Sequence, residues 1–550
     1  MILLWSALRL LKVAEPGEDG ERLQPAGGIR VLHVRHCPSH QPASTLPHML
    51  ARAIAAQVQG LTGRPVEVQV DMSPGAVTFS LVGLASGSVR EAKERVRSAI
   101  RNSGQSFPQR RLTVNLAPAE LRKDGAGLDL AISVAICLGA LGKPSPGGVA
   151  FIGEMALDGT VRHVDGVLVL AEGLRKAGLA KLFVGEVDAA EAALIEGFEI
   201  YPCRTLSQVL DHLLGNRPIS PYRGQSVAPE APDESPWDLS EVHGQEAARR
   251  AVEVAATGGH HLLMTGPPGA GKTMLARCLP GLLPPLDLAD ALEVARIRSV
   301  LGDFVGTSPL CWERPFRAPH HSISTAGLLG GGSGMPRPGE ISRAHHGVLF
   351  LDEIAEFPAA TLQSLRQPLE EGGVTLIRSA GAVTYPARFQ LVAATNPCPC
   401  GYLGDAARPC RCGPGGIQSY QRSLSGPLLD RIDLQVSVHR TPPHLLGRPA
   451  EAEPSVIVKE RVLAARQLQL DRQQRLNSAL GTPGLRRWAE LEPSCRSLLQ
   501  RWSEERMLSA RGFHRAWRVA RTLADLDGGG RIRSGHVLEA LGYRLDELAA

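Results

Sequence analysis

HLLMTGPPGAGKTMLARCL, residues 261–279, passes from an apolar strand pattern through a glycine- and proline-rich loop into a helical pattern. The loop fits G-x-x-x-x-G-K-[ST], with Gly266, Pro267, Pro268, Gly269, Ala270, Gly271, Lys272 and Thr273 in order. Its glycines let backbone N–H groups close around phosphates. The lysine reaches the β/γ-phosphates and the threonine hydroxyl serves Mg²⁺. The following helix adds favourable partial charge at its N-terminus. ATP and Mg²⁺ are therefore the expected cofactors.

Working outward, GVLFLDEIAEF (347–357) supplies four buried-strand residues and then Asp352 and Glu353 at the strand's carboxyl end. Asp352 is expected to hold Mg²⁺ with Thr273, and Glu353 to polarise the attacking water. A plain capping pair of carboxylates would look similar, but a phosphate loop about 80 residues upstream favours the catalytic reading. FQLVAATNPC (389–398) is a third apolar strand, ending in Asn396, whose amide can orient that water. SGPLLDRIDLQV (425–436) places Arg431 just before another strand, where a guanidinium suits a finger offered to a neighbouring subunit's ATP. A salt bridge to Asp430 or Asp433 is the competing reading. LSARGFHRAWRVAR (508–521) offers Arg511, with Arg515 as runner-up, as a γ-phosphate sensor, against an ordinary solvated basic helix. EVHGQEAARRA (241–251) can set Val242 to Gln245 against the adenine.

Strands and helices alternate from Trp237 to about residue 445, as a parallel sheet requires, and 446–550 is mainly helical. Ahead of this, 49–215 is mixed α/β. VEVQVDM and VTFSLVGL alternate like strands, SVREAKERVRSAIRNSG has helical spacing, RRLTVNLAPAEL reads as strand and turn, and GLDLAISVAICLGALG is an apolar helix. The proline-rich stretch 216–236 reads as a linker. Residues 1–48 lack a sustained period, and two readings stand: a disordered extension, or a true start at Met49. The fold class expected is therefore multidomain α/β with a helical C-terminal lid.

The chain's 550 residues leave room for several domains. A net charge of +5 permits nucleic acid as a partner without requiring it. No apolar run approaches the length of a membrane span, and the N-terminus lacks a leader's basic region and cleavage site, so a cytoplasmic protein is expected. Ten cysteines in so long a chain do not form a secreted disulfide framework. Four of them, Cys398, Cys400, Cys410 and Cys412, make C-x-C-x9-C-x-C directly after Asn396, which suits tetrahedral Zn²⁺; free thiols on a loop are the alternative. The paired histidines 260/261, 320/321 and 345/346 lack zinc-protease spacing and are read as structural, with contact to DNA phosphate or a neighbouring subunit a second reading for His320 and His321. EEGGVTLIRSAGAVTYPARF (370–389) reads as a hairpin with Arg378, and less favourably Arg388, as phosphate contacts blind to sequence.

VNLAPAELRKDG (114–125), RPFRAPHHSIS (314–324), RAHHGVLFLDEI (343–354), NPCPCGYLGD (396–405) with PCRC (409–412), and SGPLLDRIDL (425–434) together resemble the ComM/YifB family of Mg-chelatase-like AAA+ proteins, from about Met49 to the C-terminus. The resemblance implies a Lon-protease-like domain of the ribosomal-S5-type fold, an AAA+ core, a Mg-chelatase-type lid and a homo-hexameric ring. It also implies ATP-driven branch migration or helicase action on single-stranded or branched DNA in recombination and natural transformation. RKDGAGLDL departs from the Lon pattern by placing Gly127 where the nucleophilic serine would fall and Leu168 near the lysine, so peptide hydrolysis by that route is excluded. Two other functions stay open: a metal-insertion ATPase of the Mg-chelatase kind, and a protein-remodelling motor with no DNA substrate.

Overall fold

The structure is a computed structural model. It describes residues 49–83, 86–224, 236–303, 310–332, 334–378, 381–405, 408–424, 426–441, 452–505 and 509–544, which belong to one unit, His48–Ala550. The expected N-terminal extension, the linker residues 225–235, and residues 442–451, which span the expected end of the core and start of the lid, lie outside the described residues.

The Ala-rich stretch from Met49 is strand β1 (Met49–Gln59). It pairs antiparallel with β2 (Thr62–Ser73), where Val66, Val68, Val70 and Met72 alternate inward. With β3 (Thr78–Val82), β4 (Arg111–Ala117), β5 (Val149–Phe151), β6 (Lys181–Gly185) and β7 (Glu199–Cys203) they form a seven-stranded mixed sheet in the order β3-β4-β2-β1-β5-β6-β7. Helices α1 (Gly87–Asn102) and α2 (Asp129–Ala140) cover it; α2 is apolar all round and buried from Asp129 through Gly139, as a helix inside a core must be. Part of the expected linker is also ordered against this sheet. Tyr222 N donates to Ile200 O (2.7 Å), and Ile219 N donates to His212 Nδ1 (2.9 Å).

Helix α3 (Val167–Lys176) is where this sheet meets the rest of the chain. Leu168 packs with Leu286, Ala291, Val294 and Ala295, the last three on helix Leu288–Leu301 and Leu286 just before it. Arg296 grips Glu172 with two hydrogen bonds (2.9 and 3.3 Å). The β1–β2 turn seats Leu61 in a second apolar cluster with Val374, Leu376, Val383 and Tyr385.

In the central region α4 (Glu246–Gly258) precedes β8 (Leu262–Thr265), which runs into α5 (Lys272–Leu282); α6 is Leu288–Leu301. Strands β8, β9 (Phe316–Arg317), β10 (Val348–Leu351), β13 (Gln390–Thr395) and β14 (Leu434–Ser437) form a wholly parallel sheet in the order β9-β10-β13-β8-β14. β8, β10 and β13 are buried along their whole length, which is why they read as continuous apolar runs. The expected hairpin forms from β11 (Gly373–Arg378) and β12 (Gly381–Pro386), with Arg378 opposite Gly381; two of its turn residues, Ser379 and Ala380, lie outside the described residues.

The C-terminal helices α7 (Ser455–Gln473), α8 (Ala510–Leu526) and α9 (Ser534–Gly542) share one apolar cluster with α4, α5 and β8. Several lid arginines are internal ties rather than surface charge. Arg472 and Arg521 both hold the buried Asp525, at 2.6 and 2.8 Å. Among the described residues no helix is long and apolar enough to cross a membrane.

Candidate nucleotide and metal sites

Strand β8 ends at Thr265, in the middle of the parallel sheet, and the loop Gly266–Gly271 turns the chain into α5. Loops at the carboxyl ends of parallel strands form the crevice where ligands bind. Here they enclose a cleft of about 560 Å³ lined by Pro268 to Met274, Asp352, Glu353, Thr395 and Asn396, with Trp237 and Arg277 at one side.

Lys272 reaches back across the loop. Its Nζ donates to Gly266 O (2.6 Å), Pro267 O (3.0 Å) and Asn396 Oδ1 (3.1 Å). Burial lowers its pKa, opposed by the nearby Asp352 and Glu353. The second residue of α5, the half-buried Thr273, donates its Oγ1 hydrogen to Asp352 Oδ2 at 2.8 Å. Adjacent ligands on an octahedral Mg²⁺ ion with metal–oxygen bonds of about 2.1 Å stand about 3 Å apart. The Thr273 and Asp352 oxygens therefore fit neighbouring positions on such an ion.

Glu353 has φ +51°, a left-handed conformation costly for a residue with a side chain. Its amide donates to Asp352 Oδ1 (3.0 Å), which fixes the strand's exit and leaves the carboxylate exposed. His321 Nδ1 lies 3.4 Å from Glu353 Oε2. That histidine belongs to the loop after β9 and was read as structural; only the three-dimensional turn of the RAPHH segment brings it to the glutamate. Trp237, with the Arg277 guanidinium 4.7 Å over its ring, was likewise missed, because its role depends on the chain entering the core beside α5.

The two residues read as adenine contacts are elsewhere. Val242 is packed in the core, and Gln245 Nε2 donates to the His439 backbone carbonyl. Neither lines the cleft. Arg431 and Arg511 also lie outside it. They share a second cavity of about 830 Å³ with Arg314, Arg388, Arg466 and Arg518. Arg431 pairs with Glu370, rather than with Asp430 or Asp433 as the salt-bridge reading supposed. Arg511 is exposed. Arg515 is buried and donates to Leu429 O and Ile432 O at 3.2 and 3.3 Å, a tie at the start of β14.

Arg378 is exposed on the hairpin with Ile377. Arg388 is not on the hairpin; it follows β12, and Gly372 packs against its stem. Arg314 and Arg317, which precede His320 and His321 in the chain, are engaged internally. Arg314 donates to Pro284 O and His346 O (both 2.7 Å), and Arg317 grips Glu340 (2.7 and 3.0 Å).

The histidine pairs 260/261 and 345/346 make internal ties. His260 is buried between Asp433 (3.0 Å) and Thr522 (2.8 Å). Glu293, His345 and His346 cluster closely enough to suggest a metal. Their hydrogen bonds argue otherwise. His345 Nδ1 accepts from Arg388 N (3.0 Å), so its Nε2 carries the proton and donates to Glu293 Oε2 (2.8 Å). Burial holds the His345 pKa down to about 4. The four clustered cysteines behave differently: their sulfurs all lie within 4.8 Å of one another and none is in a disulfide.

In the N-terminal sheet, Gly127 lines a cavity with His163 and Asp165, and a Cβ on it would come 2.9 Å from Val164 Cγ1. Leu168 is buried. Neither Gly127 nor Leu168 offers a nucleophile or a base.

Three family models cover most of the described chain: magnesium chelatase subunit ChlI over residues 238–446, a further ChlI-subunit model over 68–188, and the ChlI C-terminal model over 452–544. YifB of Escherichia coli is 41% identical over 490 residues, 88% of this chain and 95% of the relative. The competence protein ComM of Haemophilus influenzae is 39% identical over 501 residues, 90% and 97% of the two chains. Lon protease 2 of Bacillus subtilis is 30% identical over 152 residues, 26% of each chain. These relatives agree with the multidomain α/β architecture, and the family implies an ATPase that uses ATP with Mg²⁺. By its motifs, fold and similarity over nearly its whole length, the chain belongs to the ComM/YifB family of Mg-chelatase-like AAA+ proteins.

Proposed function

We propose that this chain is a ring-forming, cytoplasmic ATP-driven motor that moves along single-stranded or branched DNA, as a branch-migration or helicase enzyme of recombination or natural transformation. The observation that carries the reading is the split of the hydrolytic set between two cavities. Lys272, Thr273, Asp352, Glu353 and Asn396 share one cleft, while Arg431 and Arg511 line another. A guanidinium completes such a site when a second copy docks its arginine cavity over the first copy's triphosphate. Repetition of that heterologous contact closes a ring, with six copies the expected number.

In the reaction, the phosphate-loop amides and Lys272 bind the β- and γ-phosphates, and Thr273 and Asp352 hold the Mg²⁺ that neutralises developing charge. Glu353 polarises the water, and Asn396 orients it in line. Arg431 and Arg511, delivered by the neighbour, stabilise the charge spreading over the γ-phosphoryl oxygens. Zinc on the four clustered cysteines completes the proposed cofactor set. The N-terminal domain, without a nucleophile, serves as a ring-forming or binding platform.

The name of the Haemophilus relative, a competence protein, supports DNA as the substrate. So does the hairpin, which holds Ile377 71% exposed beside the exposed Arg378. The test is ATPase rate with single-stranded, forked and duplex DNA across a salt series. Stimulation that falls steeply with salt, with a slope lowered by about one in Arg378→Ala, is expected. No response to any DNA overturns the DNA reading and leaves a protein-remodelling motor.

A further inference from the structure

Cys398 stands two residues beyond Asn396 and is fully buried. Its Sγ is 3.4 Å from Cys400 Sγ and 3.6 Å from Cys410 Sγ, and the latter two are 3.5 Å apart. A disulfide would need about 2.05 Å. A tetrahedral zinc tetrathiolate with bonds of about 2.3 Å sets its sulfurs about 3.8 Å apart. The separations found match the second geometry. Two backbone amides also point at sulfur: Cys400 N donates to Cys412 Sγ and Cys412 N to Cys410 Sγ, both at 3.4 Å. Such donors stabilise metal-bound thiolates.

The loop carrying these sulfurs lies against the nucleotide cleft. Gly401 has φ +83°, and a Cβ built on it would come 2.6 Å from Pro268 Cδ and 3.7 Å from Asn396 Cγ. Only glycine allows this approach of the cysteine loop to the phosphate loop. Asn396 in turn accepts from Lys272 Nζ at 3.1 Å. The far side of the loop is tied down separately: Asp405 pairs with Arg440 at 3.4 Å, just beyond β14.

From this geometry we infer that the tetrathiolate binds one zinc ion that acts as a positioning site for ATP hydrolysis, clamping Pro268 and Asn396 in their catalytic placement. The inference rests on the ATPase reading above and deepens it. Cys398 and Asn396 are two residues apart in one bend, so fixing the sulfur fixes the amide. Cys410 and Cys412 return from the far end of the loop to close the clamp. Without the ion, four thiols with weak mutual hydrogen bonds hold the segment, and Asn396 moves relative to Lys272. Misplacement of a positioning group by about 1 Å lowers rate by up to about 100-fold.

The experiment uses the full-length chain, purified without added chelator. Elemental analysis is expected to give about one zinc per chain and no iron. Cys410→Ser/Cys412→Ser is expected to lose the zinc and at least about tenfold in kcat, with KM for ATP changed much less. Cys410→His, which keeps a zinc ligand, is expected to restore metal content and most of kcat. Gly401→Val probes the clamp with the metal in place: zinc stays bound while kcat falls. Should the double variant fail to fold, chelation of the native protein and return of zinc give the same reading as a reversible loss of kcat. Zinc well below one per chain under zinc-replete growth, iron in its place, or native kcat in a zinc-free folded variant overturns the inference. Absence of DNA stimulation would touch none of these readouts, so failure of the motor reading and failure of the metal clamp are distinguishable.

Discussion

At the residue scale, the left-handed Glu353 is the most informative backbone position of the cleft. Its φ of +51° turns the carboxylate away from Asp352, which is already committed to Thr273 and to the Glu353 amide. In the proposed mechanism the two adjacent carboxylates thereby take separate tasks, metal ligand and water polariser. Glu353→Gln keeps the size and the turn but cannot accept a proton. It is expected to bind ATP with native affinity and to hydrolyse it at least about 100-fold more slowly, measured by nucleotide titration and phosphate release. Native turnover in that variant would remove Glu353 from the mechanism. The cleft residues Lys272, Thr273, Asp352, Glu353 and Asn396 were legible in the sequence because each sits at the end of an apolar strand or in a loop of fixed spacing. Trp237 and His321 were not legible. They reach the cleft only because distant segments fold beside it, and no local periodicity reports such a meeting.

At the element scale, α6 is the hub of the core's outer surface. Its Glu293 accepts from the paired histidines that precede β10, and its Arg296 grips Glu172 of α3. The alternation of helices and strands was readable over the central region, but neither α3 nor α6 was picked out, and no local pattern names the partner of a covered face. The histidine contact has a pH signature. His345, with a side chain 0% exposed, has its pKa pushed by burial from 6.5 to about 4. The unfolded chain therefore takes up a proton that the folded chain refuses between those values. Stability from this group is complete above the unfolded pKa and is lost as pH falls from about 6.5 towards 4, by up to about 3 kcal/mol. Urea unfolding at stepped pH is expected to show this slope in the native protein and a shallower one in His345→Asn. Equal slopes would show that His345 is protonated in the folded state.

At the scale of the whole molecule, the N-terminal sheet is no loosely tethered bead. Leu168 packs against α6, and Leu61 packs into the cluster beneath the β11–β12 hairpin, so the hairpin's base is shared between the two sheets. The β1–β2 turn can sit this close because Gly60, with φ +63°, has no side chain to meet Val383. A motion of the hairpin during the ATP cycle must then be felt by the N-terminal sheet. The multidomain order was readable from motif succession, whereas this docking depends on side chains brought together across more than a hundred residues. The lid is similarly continuous with the core through α4, α7 and α8. The arginine cavity is open at the protein's surface, and in the proposed ring it is assigned to the next copy. Lys272→Ala and Arg431→Ala variants test that assignment most directly: each is purified alone and the two are then mixed and assayed for ATP hydrolysis with DNA present. Each variant alone is expected to be nearly inactive, and the mixture is expected to recover up to about a quarter of native activity, because an intact Lys272 cleft then meets an intact Arg431 on its neighbour. Native turnover by Arg431→Ala alone, or a mixture no more active than its parts, would contradict a site shared between copies.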